Sequence, residues 1–223
     1  MGEIFHIAID GPTASGKGTV ARELGRRLGI PALDTGAMYR AVALYIIDND
    51  IDYKDNEEYI RDIIESLNLA VKIIDDQTRV YIEVNDVTDR IRTSEVARVG
   101  SQIADFALVK LTNIMRDLAR GQSLILDGRN IASFVLPDAK YKFYLTASSE
   151  IRAKRRLAQS DDGATLDEIK KQIELRDKRD MTRTSGGALV QVDDAIVIDN
   201  SDMDLEQTIK VMIKSIAKDK SLC

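Results

Sequence analysis

Residues 9–19 of the chain, Ile-Asp-Gly-Pro-Thr-Ala-Ser-Gly-Lys-Gly-Thr, constrain its fold more than any other segment. They follow an apolar run at 4–9 and precede a helical pattern that begins near Gly16. A strand, a glycine loop and a helix in this order wrap successive backbone N–H groups around a polyphosphate. The segment therefore predicts a loop that binds a nucleoside triphosphate.

Within this loop the pattern G-x-x-x-x-G-K is complete. Gly11 and Gly16 are expected to let the backbone approach phosphate oxygens, and Lys17, expected on an exposed loop, to reach the β- and γ-phosphates. Gly18 stands where Ser or Thr is usual, and Thr19 can offer its hydroxyl near a metal ion. A glycine-rich turn with an incidental lysine is the alternative, which the flanking strand and helix disfavour. The predicted triphosphate-binding residues are Gly11, Pro12, Thr13, Ala14, Ser15, Gly16, Lys17, Gly18 and Thr19.

Length and charge narrow the class of protein. A chain of 223 residues suits one domain with an insertion. The net charge of −5 disfavours sequence-independent binding to nucleic acid, so any cationic site must come from local clustering. Cys223 is the only cysteine, which excludes a disulfide within the chain and fits a reducing, cytoplasmic setting. Neither a signal peptide nor a membrane-spanning segment is expected.

Five short apolar runs predict the strands of a parallel sheet. Helical patterns lie between them, for example from Thr35 to about Ile47, so a doubly wound α/β fold is expected, with ligands at the carboxyl ends of the strands. The last helix shows its period most clearly, with Ile209, Met212 and Ile216 on one stripe. The predicted strands are Ile4–Ile9, Ala32–Asp34, Leu124–Asp127, Lys142–Leu145 and Ala195–Asp199.

One region breaks this alternation. Residues 69–84 read as an antiparallel hairpin around a polar turn at 75–78. The segment 66–98 is therefore predicted to be a small inserted subdomain. A long helix, from about Ser101 to Arg120, is expected to return the chain to the core.

Two further segments at strand ends could carry chemistry. In Asp34-Thr35-Gly36-Ala37-Met38-Tyr39-Arg40, Thr35 is a candidate helix cap, and Arg40 is either a phosphate ligand or an ordinary surface arginine. The run 124–127 ends in Asp127, as in a Walker-B element whose carboxylate organises Mg²⁺. A simple Asp-Gly turn is the alternative for Asp127.

Two basic clusters stand out in this acidic chain, one at 152–156 and one at 176–183. Thr165 and Glu168 predict a capping box at the start of the helix that carries the second cluster. On that helix Arg176 and Asp180 continue an apolar stripe, which a solvated helix face does not explain. Phosphoryl transfer would explain it, because phosphate chains need several guanidinium groups around them.

Taken together, these segments resemble the bacterial cytidylate kinases, a family of nucleoside monophosphate kinases, along nearly the whole chain. The phosphate loop is specific only to the P-loop class, whereas the other segments, in this order, are specific to the family. Those segments are 33–40, 91–96, 101–102, 127–129 and 176–183. The hairpin at 69–84 is similar to the family's insertion in the monophosphate-binding region.

The resemblance implies ATP on the 11–19 loop, Mg²⁺ near Thr19 and Asp127, and a pyrimidine monophosphate over the insertion. Arg40, Arg129, Arg176 and Arg183 would hold phosphates, and with Lys17 and Asp127 they form the predicted catalytic set. Arg152, Arg155 and Arg156 would bind ATP and border a short lid at 157–165. The substrate-binding residues implied are Thr35, Tyr39, Arg40, Ser101, Lys110, Arg129, Asn130, Arg176, Asp180 and Arg183, with Asp180 facing the sugar and Ser101 the base.

Two residues depart from the family pattern at base-recognition positions. Lys110 stands where arginine is expected, and Asn130 where an aspartate follows Gly-Arg. An asparagine can flip and donate to uracil as well as accept from cytosine, so the margin of CMP over UMP is expected to narrow.

The resemblance implies transfer of the γ-phosphoryl group of ATP to CMP and dCMP by a monomeric, P-loop enzyme of pyrimidine metabolism. A kinase that prefers UMP or another monophosphate is the nearest alternative. A regulatory GTPase is disfavoured because the N-K-x-D motif and a downstream D-x-x-G switch are absent. A catalytically silent nucleotide-binding module is disfavoured because every expected phosphate-contacting residue is present.

Overall fold

The computed structural model describes residues 3–54, 56–159 and 163–218. A five-stranded parallel sheet forms its centre, in the order β2-β6-β1-β7-β8. This confirms the predicted α/β class, and each strand lies within about two residues of its predicted bounds. The strands are β1 (His6–Asp10), β2 (Ala32–Asp34), β6 (Leu124–Gly128), β7 (Tyr141–Thr146) and β8 (Ile196–Asp199).

Helices cover both faces of the sheet, which is why its central strands are continuously apolar. Ile7 and Ile9 of β1 face one core, together with Phe143 and the last helix, whereas Ala8 faces the other core. The helices are α1 (Lys17–Leu28), α2 (Thr35–Asp48), α3 (Glu57–Ser66), α4 (Ser94–Gln102), α5 (Ala104–Arg120), α6 (Ser149–Leu157), α7 (Leu166–Met181) and α8 (Leu205–Ala217). The capping box of Thr165 and Glu168 at the start of α7 is confirmed.

The prediction of one helix from Ser101 to Arg120 is wrong. The chain turns at Ile103, so Ser101 belongs to α4 and α5 begins at Ala104. The side chain of Ile103 is fully buried, and its N–H still donates to the carbonyl oxygen of Val99 at 3.0 Å. The residue at the break is neither Gly nor Pro, so its residue type does not predict a helix end.

The predicted hairpin is present as a separate antiparallel sheet of β3 (Leu69–Ile74), β4 (Gln77–Ile82) and β5 (Asn85–Asp86). Its turn is shorter than predicted, because only Asp75 and Asp76 lie between the strands, both at positive φ. Two such residues suit the tight turn of a two-residue hairpin. A 3₁₀ turn at Arg90–Arg92 and α4 follow. The bounds 66–98 of the subdomain stay a prediction.

Two other features concern the remaining connections. A π-helical segment, Ile131–Val135, follows β6. Of the lid predicted at 157–165, residues 160–162 lie outside the described part of the chain.

No described helix combines the length and apolar character needed to cross a membrane.

Candidate active site

The phosphate loop connects β1 to α1 and depends on three residues at positive φ, Gly11, Ala14 and Gly16. A Cβ at Gly11 would lie 2.0 Å from the carbonyl oxygen of Leu145, so β7 requires this glycine. The expectation that Gly11 also lets the backbone approach phosphate oxygens stays a prediction. Gly16, at φ 91°, precedes the first turn of α1 and directs the chain into that helix.

Lys17 lies in the first turn of α1 and is buried, not exposed as predicted. Its Nζ donates to the carbonyl oxygen of Pro12 at 2.7 Å and to Oγ of Ser15 at 3.3 Å. Burial, and after it the charge of Arg129, lowers the pKa of the Lys17 ammonium well below its usual range. The loop thus holds its cation in place at an electrostatic cost that a polyphosphate would relieve.

Neighbouring strands bring two carboxylates together beside this loop. Asp34 ends β2 and pairs in register with Asp127 of β6. Burial, and after it the negative charge of Asp34, raises the pKa of the Asp127 carboxyl to about 7. Asp34, rather than Thr35, caps α2 by accepting from the N–H of Ala37 at 3.1 Å. Thr35 instead donates its hydroxyl to the carbonyl oxygen of Asp127 at 2.7 Å.

Oxygen donors near Asp127 fit a hard cation such as Mg²⁺. Thr19, Asp34 and Asp127 line the same cavity, and a Cβ at Gly18 would lie 3.8 Å from Oδ2 of Asp127. The described residues contain no cluster of three or more His, Cys, Asp or Glu that could cage a metal alone. A magnesium ion here would therefore take part of its coordination from water and substrate oxygens.

At the other end of the cavity, three arginines surround Asp180 of α7. Nε of Arg129, which follows β6, donates to Asp180 at 2.9 Å, and Nη2 of Arg183 at 3.1 Å. Nε of Arg176 lies 4.0 Å away. Burial alone would raise the pKa of Asp180, but Arg129, Arg176 and Arg183 together hold it below its ordinary value.

Arg40 completes this end of the cavity and is paired with Asp34 at 2.9 Å. Within the described residues, four buried side-chain N or O atoms have no hydrogen-bond partner. Three of them line the cavity: Nε of Arg40, Oγ of Ser101 and Nε of Arg176. Buried polar atoms are almost always paired, so these three point to a missing polar ligand.

A single cavity of about 560 Å³ joins the loop to this arginine cluster. Eight Lys and Arg side chains line it against four Asp, in a protein of net charge −5. Burial raises the pKa of Tyr39, another lining residue, to about 12. The cavity is therefore suited to anions at both ends.

The structure leaves two predicted residues outside this cavity. Lys110 lies on α5, where its Nζ donates to the carbonyl oxygen of Glu65 at 2.6 Å. Arg152 is buried and donates to the carbonyl oxygens of Ala147 and Thr13. Neither side chain lines the cavity, whereas Arg155 and Arg156 do.

Two residues that the sequence analysis did not single out also shape the site. Asn200, after β8, donates to the carbonyl oxygen of Ser15 at 3.1 Å and accepts from Arg155 at 3.0 Å. Asp10 accepts from the N–H groups of Ile131 and Ala132, so it anchors the segment after Arg129. Asn200 follows a strand end, and the rule that ligands bind there could have found it.

Asn130 lines the cavity next to Arg129, and its Nδ2 donates to the carbonyl oxygen of Gly186 at 3.2 Å. A carbonyl oxygen can only accept, so this bond fixes which face of the amide turns to the cavity. In this orientation Oδ1 is the acceptor of the amide and Nδ2 is already engaged. The flip expected from the sequence would set two oxygens against each other.

Solved structures share this fold. Shikimate kinase from Acinetobacter baumannii, solved with shikimate, matches with a TM-score of 0.51 at 15% identity, over 98% of this chain and 96% of that one. A protein from Eubacterium ventriosum matches with a TM-score of 0.54 at 15% identity, over 96% and 99% of the two chains. At such identities the likeness shows the fold alone.

Sequence relatives are more specific. A protein from Caldicellulosiruptor saccharolyticus named cytidylate kinase is 37% identical over 96% of each chain. Proteins of the same name from Ureaplasma urealyticum and Thermosipho melanesiensis are 41% and 40% identical, over at least 94% of each chain. The family described as cytidylate kinase matches residues 7–218. This protein therefore belongs to the cytidylate kinase family.

Proposed function

We propose that the protein transfers the γ-phosphoryl group of ATP to CMP, and also to dCMP, giving ADP and the corresponding diphosphate. The observation that carries this proposal is the single cavity that joins the phosphate loop to the arginine cluster around Asp180. A triphosphate site and a monophosphate site in one enclosure suit in-line transfer between two nucleotides. Membership of the family supports the same reaction.

ATP is assigned to the loop at 11–19, with its γ-phosphate towards Lys17. Arg155 and Arg156 of α6 line the cavity on this side, and Arg155 is held by Asn200. These cations balance charge on the triphosphate and on the transferring group. The predicted role of Arg152 as a direct ATP ligand is not part of this proposal, because its side chain points to backbone carbonyls.

The monophosphate is assigned to Arg40, Arg129, Arg176 and Arg183. The Nε atoms of Arg40 and Arg176, both buried and unpaired, would donate to its oxygens. An oxygen of this phosphate attacks the γ-phosphorus, the bond from γ-phosphorus to the β–γ bridging oxygen breaks, and the electron pair leaves on ADP. The attacking group is already an anion, so no side chain has to remove a proton.

Mg²⁺ is assigned to the side of the cavity with Thr19 and Asp127, where it would neutralise charge on the β- and γ-phosphate oxygens. Asp127 must be ionised to serve there. Burial and the charge of Asp34 raise its pKa to about 7, so a bound cation would favour the ionised form that the metal needs.

Ser101 and Asn130 are assigned to the base, and Asp180 to the sugar. Oγ of Ser101 is buried without a partner, and Oδ1 of Asn130 is presented as an acceptor. Cytosine offers an amino group at the position where uracil offers a carbonyl oxygen. An acceptor held in place by Gly186 therefore favours CMP, although less strongly than a carboxylate would.

We further propose a cytoplasmic monomer that acts on small-molecule nucleotides. The net charge of −5 argues against nucleic acid as a partner.

An assay of ADP release with a panel of monophosphates tests the proposal. We expect release to depend on an added monophosphate, with CMP and dCMP best. Release that peaks with another monophosphate would replace the acceptor and keep the reaction. GTP hydrolysis without an acceptor, or ATP binding without turnover, would contradict the proposal in favour of a GTPase or a silent module.

A further inference from the structure

A buried ion pair lies behind the phosphate loop, outside the cavity. Arg152 of α6 and Asp177 of α7 are paired at 2.5 Å, with side chains only 8% and 10% exposed. Neither residue lines the cavity. The pair is therefore not part of the binding surface described above.

Both members of this pair bind the backbone of one loop residue, Thr13. Oδ1 of Asp177 accepts from the N–H of Thr13 at 3.1 Å, and Nη1 of Arg152 donates to its carbonyl oxygen at 3.0 Å. Nε of Arg152 donates to the carbonyl oxygen of Ala147, just beyond β7. The two polar backbone groups of Thr13 are thus fixed by charged side chains, which make stronger hydrogen bonds than neutral ones.

The fixed residue immediately precedes the most unusual conformation of the loop. Ala14 has φ 57°, a region that residues with a Cβ adopt at a cost in free energy. A loop of this kind relaxes unless its surroundings hold it. Here the contacts that hold it come from the protein itself.

We propose that Arg152 and Asp177 are positioning residues that preorganise the phosphate loop for ATP and fix its position relative to α7. The inference rests on the proposed ATP-dependent reaction. It replaces the expectation that Arg152 touches ATP.

The proposal predicts that breaking this pair raises the KM for ATP more than the KM for CMP. Helix α7 keeps other anchors when the pair is lost, because Arg183 donates to the carbonyl oxygen of Ser101 and Asp180 accepts from Arg129. In the described structure, Thr13 has no comparable second support from charged side chains. Breaking the pair should therefore loosen the loop more than the helix.

Steady-state kinetics of Asp177→Asn test this. We expect the KM for ATP to rise about tenfold, while the KM for CMP changes by about twofold or less. If Arg152 were a direct ATP ligand, removing its partner would free it for ATP, and the KM for ATP would stay the same or fall. The two explanations predict opposite signs.

A second pair of variants covers the case in which Asp177→Asn folds poorly. Arg152→Lys keeps a cationic donor near Thr13 and should raise the KM for ATP less than Arg152→Met does. All assays are run well below each variant's melting temperature. A purely structural pair would lower the melting temperature and leave the KM for ATP unchanged, which would overturn the proposal.

Glu150→Gln is the matched control, because Glu150 forms an exposed ion pair with Lys154 on the same helix as Arg152. We expect its kinetic constants to stay within about twofold of wild type. Failure of the proposed function would show in the wild type as absent CMP phosphorylation. Failure of this inference would instead leave an active wild type beside variants with an unchanged KM for ATP.

Discussion

The two ends of the cavity achieve anion binding by different means. The phosphate loop is one contiguous segment whose backbone conformation forms the site, and its cation, Lys17, is bonded within the loop. The other end is assembled from separate elements around Asp180. Among the residues that the structure describes, the three unpartnered buried atoms that line the cavity lie at this end. A site made by backbone is complete before its ligand arrives, whereas a site made by long side chains needs a carboxylate to hold them.

The largest effect is expected at the loop. Lys17→Ala should lower turnover by roughly 10²–10³-fold, because a preorganised cation leaves the transferring phosphoryl group. Its melting temperature should not fall, since the lost ammonium is buried and its pKa is already lowered by burial. Kinetics and a thermal melt check both points, with Arg26→Ala, exposed on the same helix, as control. Near-normal turnover would remove Lys17 from the mechanism.

Removal of one arginine from the cluster should lower activity less than the loss of Lys17 does, because the remaining arginines still bind the phosphate. Arg176→Ala is expected to lower kcat/KM for CMP by about 10–100-fold, which corresponds to the loss of a charge-assisted hydrogen bond. The KM for ATP should change little. Lys178→Ala, on the exposed side of the same helix, is the control. An equal effect on both substrates would contradict the division of the cavity into two ends.

Asp180→Asn tests whether a carboxylate holds the arginines together. The pKa of Asp180 is held below its ordinary value of 3.8, so its ionised form stabilises the folded protein above about pH 4, and that contribution is lost as the pH falls further. The variant should be less stable by about 3 kcal/mol at pH 7, because three cations lose their shared partner. Urea unfolding at several pH values measures this. A difference from wild type that persists unchanged at pH 3 would contradict the assignment.

The smallest effect concerns the base. Asn130→Asp should raise the preference for CMP over UMP several-fold, because a charged acceptor binds the cytosine amino group more strongly and repels uracil. It should also lower the melting temperature, because its second oxygen faces the carbonyl oxygen of Gly186 in place of a donor. Lys110→Arg should leave the preference unchanged, since the structure places Lys110 against Glu65 and outside the cavity. Competition between CMP and UMP measures the ratio. A change with Lys110→Arg alone would show that α5 approaches the base when substrates bind.

The same contrast explains what the sequence could predict. The loop was found residue by residue because its signal is contiguous, and the strands were found because both faces of the sheet are apolar. The partners of Arg152 and Asn130 could not be found, since Asp177 and Gly186 lie far along the chain and only the fold brings them close. The break at Ile103 was missed because Ile103 is neither Gly nor Pro, and its burial in the core is seen only in the fold.

The contact between Gly11 and the carbonyl oxygen of Leu145 bears on how such a loop should be read in other chains. A descendant of this protein that had lost catalysis would still need glycine at this position for β1 and β7 to lie side by side. Nothing in the sheet would require it to keep Lys17. The first glycine of the pattern therefore indicates the fold, whereas the lysine is the better indicator of catalytic activity.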